Sequence, residues 1–354
     1  MSVVCFSPSP PFVFLRRKDS PRQALLRASE LEALIPEWEE LAANAVAPNP
    51  FHEHWVLRPA LECFAGDEVR VLAVRDAGRL CAILPVQRVA RYKGLPVPAL
   101  VAWRHKHSML STPLMRQGAE LLRAASQFGS LLEMHFIPSD GTFKNRSFSS
   151  NKYQRALFVR GKDADTYIQG ALSRHLRQEV RRRERRLAEL GKVEHRVMQP
   201  ADADRWIDEF LALEAAGWKG REGSALACSE PNRRFALALL RGAAARGRLH
   251  MVGLDLDGRP LARCVSLLAG EGAFAFKTAY DEAFSRYSPG VIAEVDRIRA
   301  FHELAGVKWM DSYTGPENPV LDSVWKDRLG VERLLLPLDL KGRIVTAIAR
   351  WRRR

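Results

Sequence analysis

The stretch RLHMVGLDLDGRPLARCVSLLAG, residues 248–270, sets two β-rich runs on either side of Asp257-Gly258. Asp-Gly between two such runs signals a tight hairpin, because both residues tolerate the positive φ that a two-residue turn demands. The same arrangement stands earlier, in EVRVLAVRDAGRLCAILPVQRV (68–89), around Asp76-Ala77-Gly78. Laying Gly78-Arg79 on Gly258-Arg259 puts strand on strand on both sides, at an offset of 180 residues. That is about half of a 354-residue chain. The reading is an internal duplication, two similar α/β units in tandem; two unrelated hairpins sharing a common turn is the alternative.

The flanks agree with duplication. Helical spacing precedes each hairpin: Leu31, Leu34, Ile35, Trp38 and Leu41 within 30–65, and the runs 201–217 and 231–246. A short strand follows each after a further segment, LLEMHFI (131–137) and VKWMDSY (307–313). In the second half a strand, AFAFKTAY (273–280), leads into SRYSPGVIAEVDRIRAFHELAG (285–306). Ser288 reads as an N-cap, Pro289 takes the first helical position, and Gly306 closes the end. A strand running into a helix start presents free N–H groups and the positive end of the helix dipole to an anion. Arg286 would add a charge-assisted contact. A plain, well-capped helix accounts for the same residues.

With 47% hydrophobic and 27% charged residues, the composition is that of a globular protein. A net charge of +14 favours anionic partners: nucleic acid, acidic carrier proteins, phosphate-bearing cofactors or an anionic membrane surface. Five scattered cysteines without a CxxC pair fit a reducing cytoplasm. No run approaches the apolar length that spans a bilayer. At the N-terminus the charges follow the apolar run, the wrong order for a signal peptide, and residues 1–25 are expected to form a weakly ordered tail.

Two basic segments need separate readings. In SRHLRQEVRRRERRLAELG (173–191), Leu172, Leu176, Val180, Leu187 and Leu190 fall near one helical face. Glu179, Glu184 and Glu189 stand within pairing distance of the arginines. The segment reads as the first helix of the second unit, not a free nucleic-acid helix. At the end of the chain, LLLPLDLKGRIVTAIARWRRR puts Ile344, Val345, Ile348 and Trp351 on one face before three arginines. That is either a membrane-surface helix or a helix packed on its domain.

YDEAFSRYSPG (280–290), followed by a strand ending in Asp311, resembles the second half of tandem GNAT-fold acyltransferases, the FemAB-like group that includes CelD-type acetyltransferases of envelope polysaccharide biosynthesis. LEAAGWKGREGSAL (213–226) is similar to that group's Glu–Trp–Lys–Gly segment. The arginine-rich run resembles its basic helix, and DSYTGPENPVLDSVWKDRLG (311–330) the segment that closes its site. The resemblance spans roughly residues 30–335. It implies an α/β (α+β) fold: tandem GNAT-like domains, each a mixed, mainly antiparallel sheet flanked by helices, with the acyl donor where two central strands splay apart. The expected boundaries are a tail at 1–25, domains at 26–165 and 166–336, and a basic amphipathic helix at 337–354.

The resemblance also implies acyl transfer to an amine, with acyl-CoA as co-substrate and no metal. Arg286, Tyr287, Ser288 and Gly290 would hold the donor. The family's pyrophosphate loop carries glycine where this chain has Pro289, which has no N–H to donate; acyl-carrier protein therefore stays open as donor. Transfer needs a base and a proton for the leaving thiolate. Asp311 and Glu214 are the candidate bases, and Tyr280 and Tyr287 the candidate proton donors. Trp218, Lys219 and Lys326 are candidate substrate contacts. The pairs His52/His54 and His105/His107 lack a third ligand at metal spacing; Trp103, His105 and His107 suggest an acceptor surface. The acceptor would be an amino sugar, a lipid-linked envelope intermediate or a long-chain, sphingoid-type amine, met in the cytoplasm or at the inner face of a membrane. An aminoacyl-tRNA-dependent FemAB-type transferase is the alternative. A non-catalytic RNA- or DNA-binding protein would need a recognition motif that is not found.

Overall fold

A computed structural model describes residues 22–139, 143 and 148–351. In chain order the elements are β1 (Arg22–Leu26), α1 (Ile35–Ala43), α2 (His54–Phe64), β2 (Val69–Asp76), β3 (Arg79–Val89), β4 (Ala99–Ala102), β5 (Leu114–Met115), α3 (Leu121–Ala125), β6 (Leu131–Pro138) and β7 (Phe148–Val159). There follow α4 (Ala164–Ala171), α5 (Arg174–Ala188), β8 (Val193–Val197), α6 (Ala203–Ala216), α7 (Trp218–Arg221), α8 (Glu230–Ala244), β9 (Leu249–Leu256) and β10 (Arg259–Ala269). The chain ends with β11 (Gly272–Tyr280), α9 (Pro289–Glu303), β12 (Trp309–Asp311), α10 (Pro319–Val324), β13 (Asp327–Pro337) and α11 (Leu340–Trp351).

Two compact units result, one from the chain up to Gln154 together with Leu329 onward, the other Arg155–Arg328. The first unit's sheet runs β1-β2-β3-β4-β6 and ends on β13; the second runs from the end of β7 through β12-β11-β10-β9 to β8. Both hairpins turn on two residues of positive φ, Ala77 (48°) with Gly78 (80°), and Asp257 (50°) with Gly258 (77°). These are the turns whose twist matches that of the strands. Each hairpin also carries one unpaired residue at the same distance past its turn, Cys81 and Leu261. In each unit the third strand of the meander then meets a parallel partner over three residues, β4 with β6 and β11 with β12. Turn, bulge and parallel pair recur together, as duplication requires.

The boundaries differ from the expected 165/166 and 336/337, because two strands pass from unit to unit. Leu157–Val159 at the end of β7 pair with β12, and Val331–Pro337 of β13 pair with β6. The C-terminal strand and α11 therefore belong with the first unit. Residues 22–25, read as tail, belong to β1, which pairs with β2 along its whole length through backbone bonds; the rest of the expected tail lies outside the described residues.

α5 is the arginine-rich segment, started by Ser173, whose Oγ accepts the Leu176 N–H at 3.1 Å. Leu172, Val180 and Leu187 are buried, each contributing about 2 kcal/mol, whereas Leu190 is exposed and falls off the stripe. α4 precedes α5, so α5 is not the unit's first helix. These side chains join Tyr167, Ile298 and Phe301 against Val252, Leu254 and Cys264 to form the second unit's core.

Candidate active site

β11 and β12 pair only from Gly272–Phe274 to Trp309–Asp311, after which β11 continues to Tyr280 with β10 alone beside it. A gap therefore opens in the sheet past Asp311. Within β11 a bulge between the pairs Val265–Lys277 and Ser266–Ala275 resets the alternation of side chains. Beyond it Lys277 faces α6, its Nζ 3.0 Å from Glu214 Oε1. Thr278 faces α9, its hydroxyl donating to Glu294 Oε1 at 2.8 Å. Arg297 completes that inner network, 3.2 Å from both Thr278 Oγ1 and Glu294 Oε2.

The chain leaves β11 through a short turn of 3-10 helix, Glu282–Tyr287, and enters α9. Ser288 does not cap α9 with its side chain; it takes a left-handed conformation, φ 50° and ψ 55°. Its hydroxyl instead accepts from the Arg183 guanidinium of α5. Arg286 lies 4.7 Å over the Tyr287 ring, and Tyr287 is buried. Gly290 sits against Tyr280: a Cβ there would stand 3.2 Å from the Tyr280 ring. The four residues expected to hold the donor thus lie together at the turn into α9, backed by an arginine from the basic helix.

The segment LEAAGWKG packs against the same stretch of β11. α6 breaks at Gly217, and the Trp218 N–H donates to Glu282 Oε1 at 2.6 Å, tying α7 to the loop below β11. Arg221 reaches Glu282 Oε2 at 2.7 Å. Gly220 lies so close to the previous helix that a Cβ would meet the Ala215 carbonyl oxygen at 1.8 Å. That approach delivers Lys219, whose Nζ donates to the Thr278 carbonyl at 3.2 Å and lies 3.7 Å from Glu214 Oε1. Burial, and then the neighbouring Lys277 ammonium, push the Lys219 pKa below its ordinary value. The Trp218 ring remains exposed.

The two carboxylates expected to act as bases are both engaged. Glu214 is closed to solvent, and its Oε2 accepts the Leu226 N–H at 2.7 Å. Asp311 Oδ2 lies 2.5 Å from Arg155 Nη2, and its Oδ1 accepts the Tyr313 N–H at 2.9 Å. Lys326 stands apart from this group: its Nζ is 5.0 Å over the Tyr167 ring and its N–H donates to the Tyr167 hydroxyl at 3.2 Å.

Lys277, Thr278, Arg155 and Arg183 were missed as site residues. Only Lys277 carried a signal, a lysine inside the apolar alternation of AFAFKTAY. In the first unit His105 stacks on Phe64 at 5.0 Å and lies 6.0 Å from His107 and 5.5 Å from Trp103. Burial pushes His105 down to about 3 and His52 to about 4, so both are neutral imidazoles at pH 7. Among the described residues no group of three or more His, Cys, Asp or Glu side chains could hold a metal ion.

The acetyltransferase (GNAT) domain family matches residues 174–326. Among curated protein sequences none matches the chain significantly. Solved structures with a similar fold include FemX (10% identity, covering 92% of this chain and 100% of that one, TM-score 0.53). Others are the C-terminal domain of a putative lysylphosphatidylglycerol synthetase from Agrobacterium fabrum (12%, 91% and 95%, TM-score 0.52) and L-PGS from Bacillus licheniformis (15%, 89% and 95%, TM-score 0.51). The mainly antiparallel sheet, the gap beside β11 and the match over residues 174–326 agree: the chain has a tandem GNAT-like fold, similar to that of FemX, its second unit carries the acetyltransferase (GNAT) domain match, and it is an acyltransferase.

Proposed function

We propose that the protein is an N-acyltransferase that takes its acyl group from acyl-CoA. The observation that carries this reading is the gap past Asp311, which opens toward the loop and N-terminus of α9. A thioester laid in the gap meets β11 backbone groups that have no second strand, and its phosphates meet Arg286 and the helix dipole. Pro289 removes one N–H donor from that cradle, which keeps acyl-carrier protein as the second donor.

The acceptor attacks as a neutral amine: the C–N bond forms, the C–S bond breaks, and the proton lost by nitrogen ends on the thiolate. Tyr280, at the end of β11 beside Gly290, is assigned as the proton donor to the departing sulfur. Glu214, closed to solvent, is assigned the role of holding Lys277 and Lys219 instead of that of base. Asp311 is assigned to the buried ion pair with Arg155. Acceptors of the envelope, amino sugars, lipid-linked intermediates or long-chain amines, suit a protein with a membrane-facing element. α11 offers one: Leu340, Ile344, Ile348 and Trp351 are exposed, opposite the buried Val345 and Thr346. With Lys341, Arg343 and Arg350 on its flanks, this is the pattern of an interfacial helix on an anionic leaflet.

Aminoacyl-tRNA is the second donor reading, favoured by the exposed arginines of α5. Free thiol measured after mixing the protein with short- and long-chain acyl-CoAs and a panel of amines tests the first. Release with at least one donor and amine is expected. No release with any donor, together with tight, salt-sensitive binding of aminoacylated tRNA, would replace it with the second.

A further inference from the structure

Glu214 is one carboxylate facing two ammonium groups. Lys277 Nζ lies 3.0 Å and Lys219 Nζ 3.7 Å from the same oxygen, Oε1, while Oε2 is taken by the Leu226 N–H. The charged groups on the neighbouring residues pair among themselves and cancel, Arg221 with Glu282 at 2.7 Å and Glu294 with Arg297 at 3.2 Å. One positive charge is left over in a group with little access to water. What access there is lies at the lysines: their side chains are 22% and 17% exposed, Glu214 not at all. An under-neutralised, partly desolvated cation pair beside a reaction gap gains most from an anion that brings its own negative charge.

We propose that Lys219 and Lys277 seat an anionic group, a carboxylate or a phosphate, carried by the amine acceptor. This rests on the acyltransferase reading and narrows its substrate class to amines with an acidic substituent. The donor's phosphates are a second source of the same chemistry, and the geometry argues against them. Lys277 points to the α6 face of β11, whereas Thr278 and the Tyr280–Gly290 contact lie toward α9. Along the strand, Lys277 stands about 10 Å before Tyr280. A donor held at the start of α9 therefore has its phosphates on the opposite face and further along. Glu214 then acts as a positioning residue, holding two long side chains in one geometry before the acceptor arrives.

Paired acceptors that differ only in the acid test this: glucosamine against glucosamine 6-phosphate, and ethanolamine against phosphoethanolamine, with acetyl-CoA as donor and thiol release as readout. The phosphorylated member should show the higher kcat/KM by about ten- to a hundredfold. Lys277→Met should remove most of that preference and Lys277→Arg should keep it. Calorimetric titration with glucosamine 6-phosphate reads the same seat without turnover, so failure to acylate any amine would sink the acyltransferase reading and still leave the lysines tested. In that titration Lys277→Met should weaken binding about tenfold or more while the affinity for CoA alone stays put. Unchanged phosphate affinity in the variant overturns the proposal. A parallel loss of CoA affinity also overturns it and gives the lysines to the donor. Should Lys277→Met fail to fold, Lys219→Met, on the more exposed of the two, carries the same comparison.

Discussion

Arg155 Nη2 lies 2.5 Å from Asp311 Oδ2, and both side chains are shut off from solvent. The two residues come from β7 and β12, which pair through Leu157 and Asp311. This ion pair therefore fastens the strand at which the sheet opens.

Asp311→Asn should act on stability before chemistry. Removing one member of a buried pair leaves the other charge uncompensated, at a cost of about 3–5 kcal/mol. The denaturant midpoint should fall accordingly, and at temperatures where the variant is folded the pH profile of kcat should keep its shape. A variant of normal stability with no turnover would instead make Asp311 the base.

Gly220→Ala should be poorly tolerated. Its methyl would overlap the Ala215 carbonyl, so α7 must shift, at about 1–3 kcal/mol of overpacking. Because Lys219 is the adjacent residue, KM for the acceptor should rise more than KM for acyl-CoA. Steady-state kinetics with both substrates varied would show the split.

His195 bridges Glu184 of α5 at 2.7 Å and Asp296 of α9 at 2.6 Å. The hydrogen bond to Asp296 leads the causes that raise its pKa. A raised folded value means that the contribution is complete below about 6.5, the unfolded value, and is lost as pH rises through the folded one. The melting temperature of the native protein should fall on going from pH 6 to pH 8.5 by more than that of His195→Gln. Parallel curves would remove the bridge from the stability account.

Arg181 and Arg182 are exposed on α5, whereas Arg183 reaches the Ser288 hydroxyl. Neutralising the first two should leave the fold intact, within about 0.5 kcal/mol, and weaken association with anionic partners in a salt-dependent way. Arg183→Met should lower acyl-CoA affinity by loosening the loop. Fluorescence titration with CoA separates the two effects.

Ile344→Ser combined with Trp351→Ala should abolish sedimentation with vesicles containing anionic lipid while changing stability by no more than about 0.5 kcal/mol per site, since both side chains are exposed. Native protein that ignores such vesicles would make α11 a purely structural helix.

Much of the fold could be read from the chain because its signals are local. Asp-Gly turns, period-two runs and the Pro289 helix start depend on neighbours within a few residues, and the hairpins and α9 stand where those signals put them. α11 was half legible: the sequence put Val345 on the apolar face with Ile344, Ile348 and Trp351, but Val345 packs inward while the others face out. Local pattern gives a helix its stripe without saying which side the domain covers.

The sequence by itself determined the repeated hairpin, the helix after β11 and the turn that leads into it, because each is encoded within a span shorter than one supersecondary unit. Only the tertiary structure decided the exchange of β7 and β13 between units, the burial of Asp311 against Arg155, and the meeting of Glu214 with Lys277. Those pairings join residues far apart in the chain. Their partners are selected by which strand edge and which helix face remain open once the core has formed, and no local pattern records that choice.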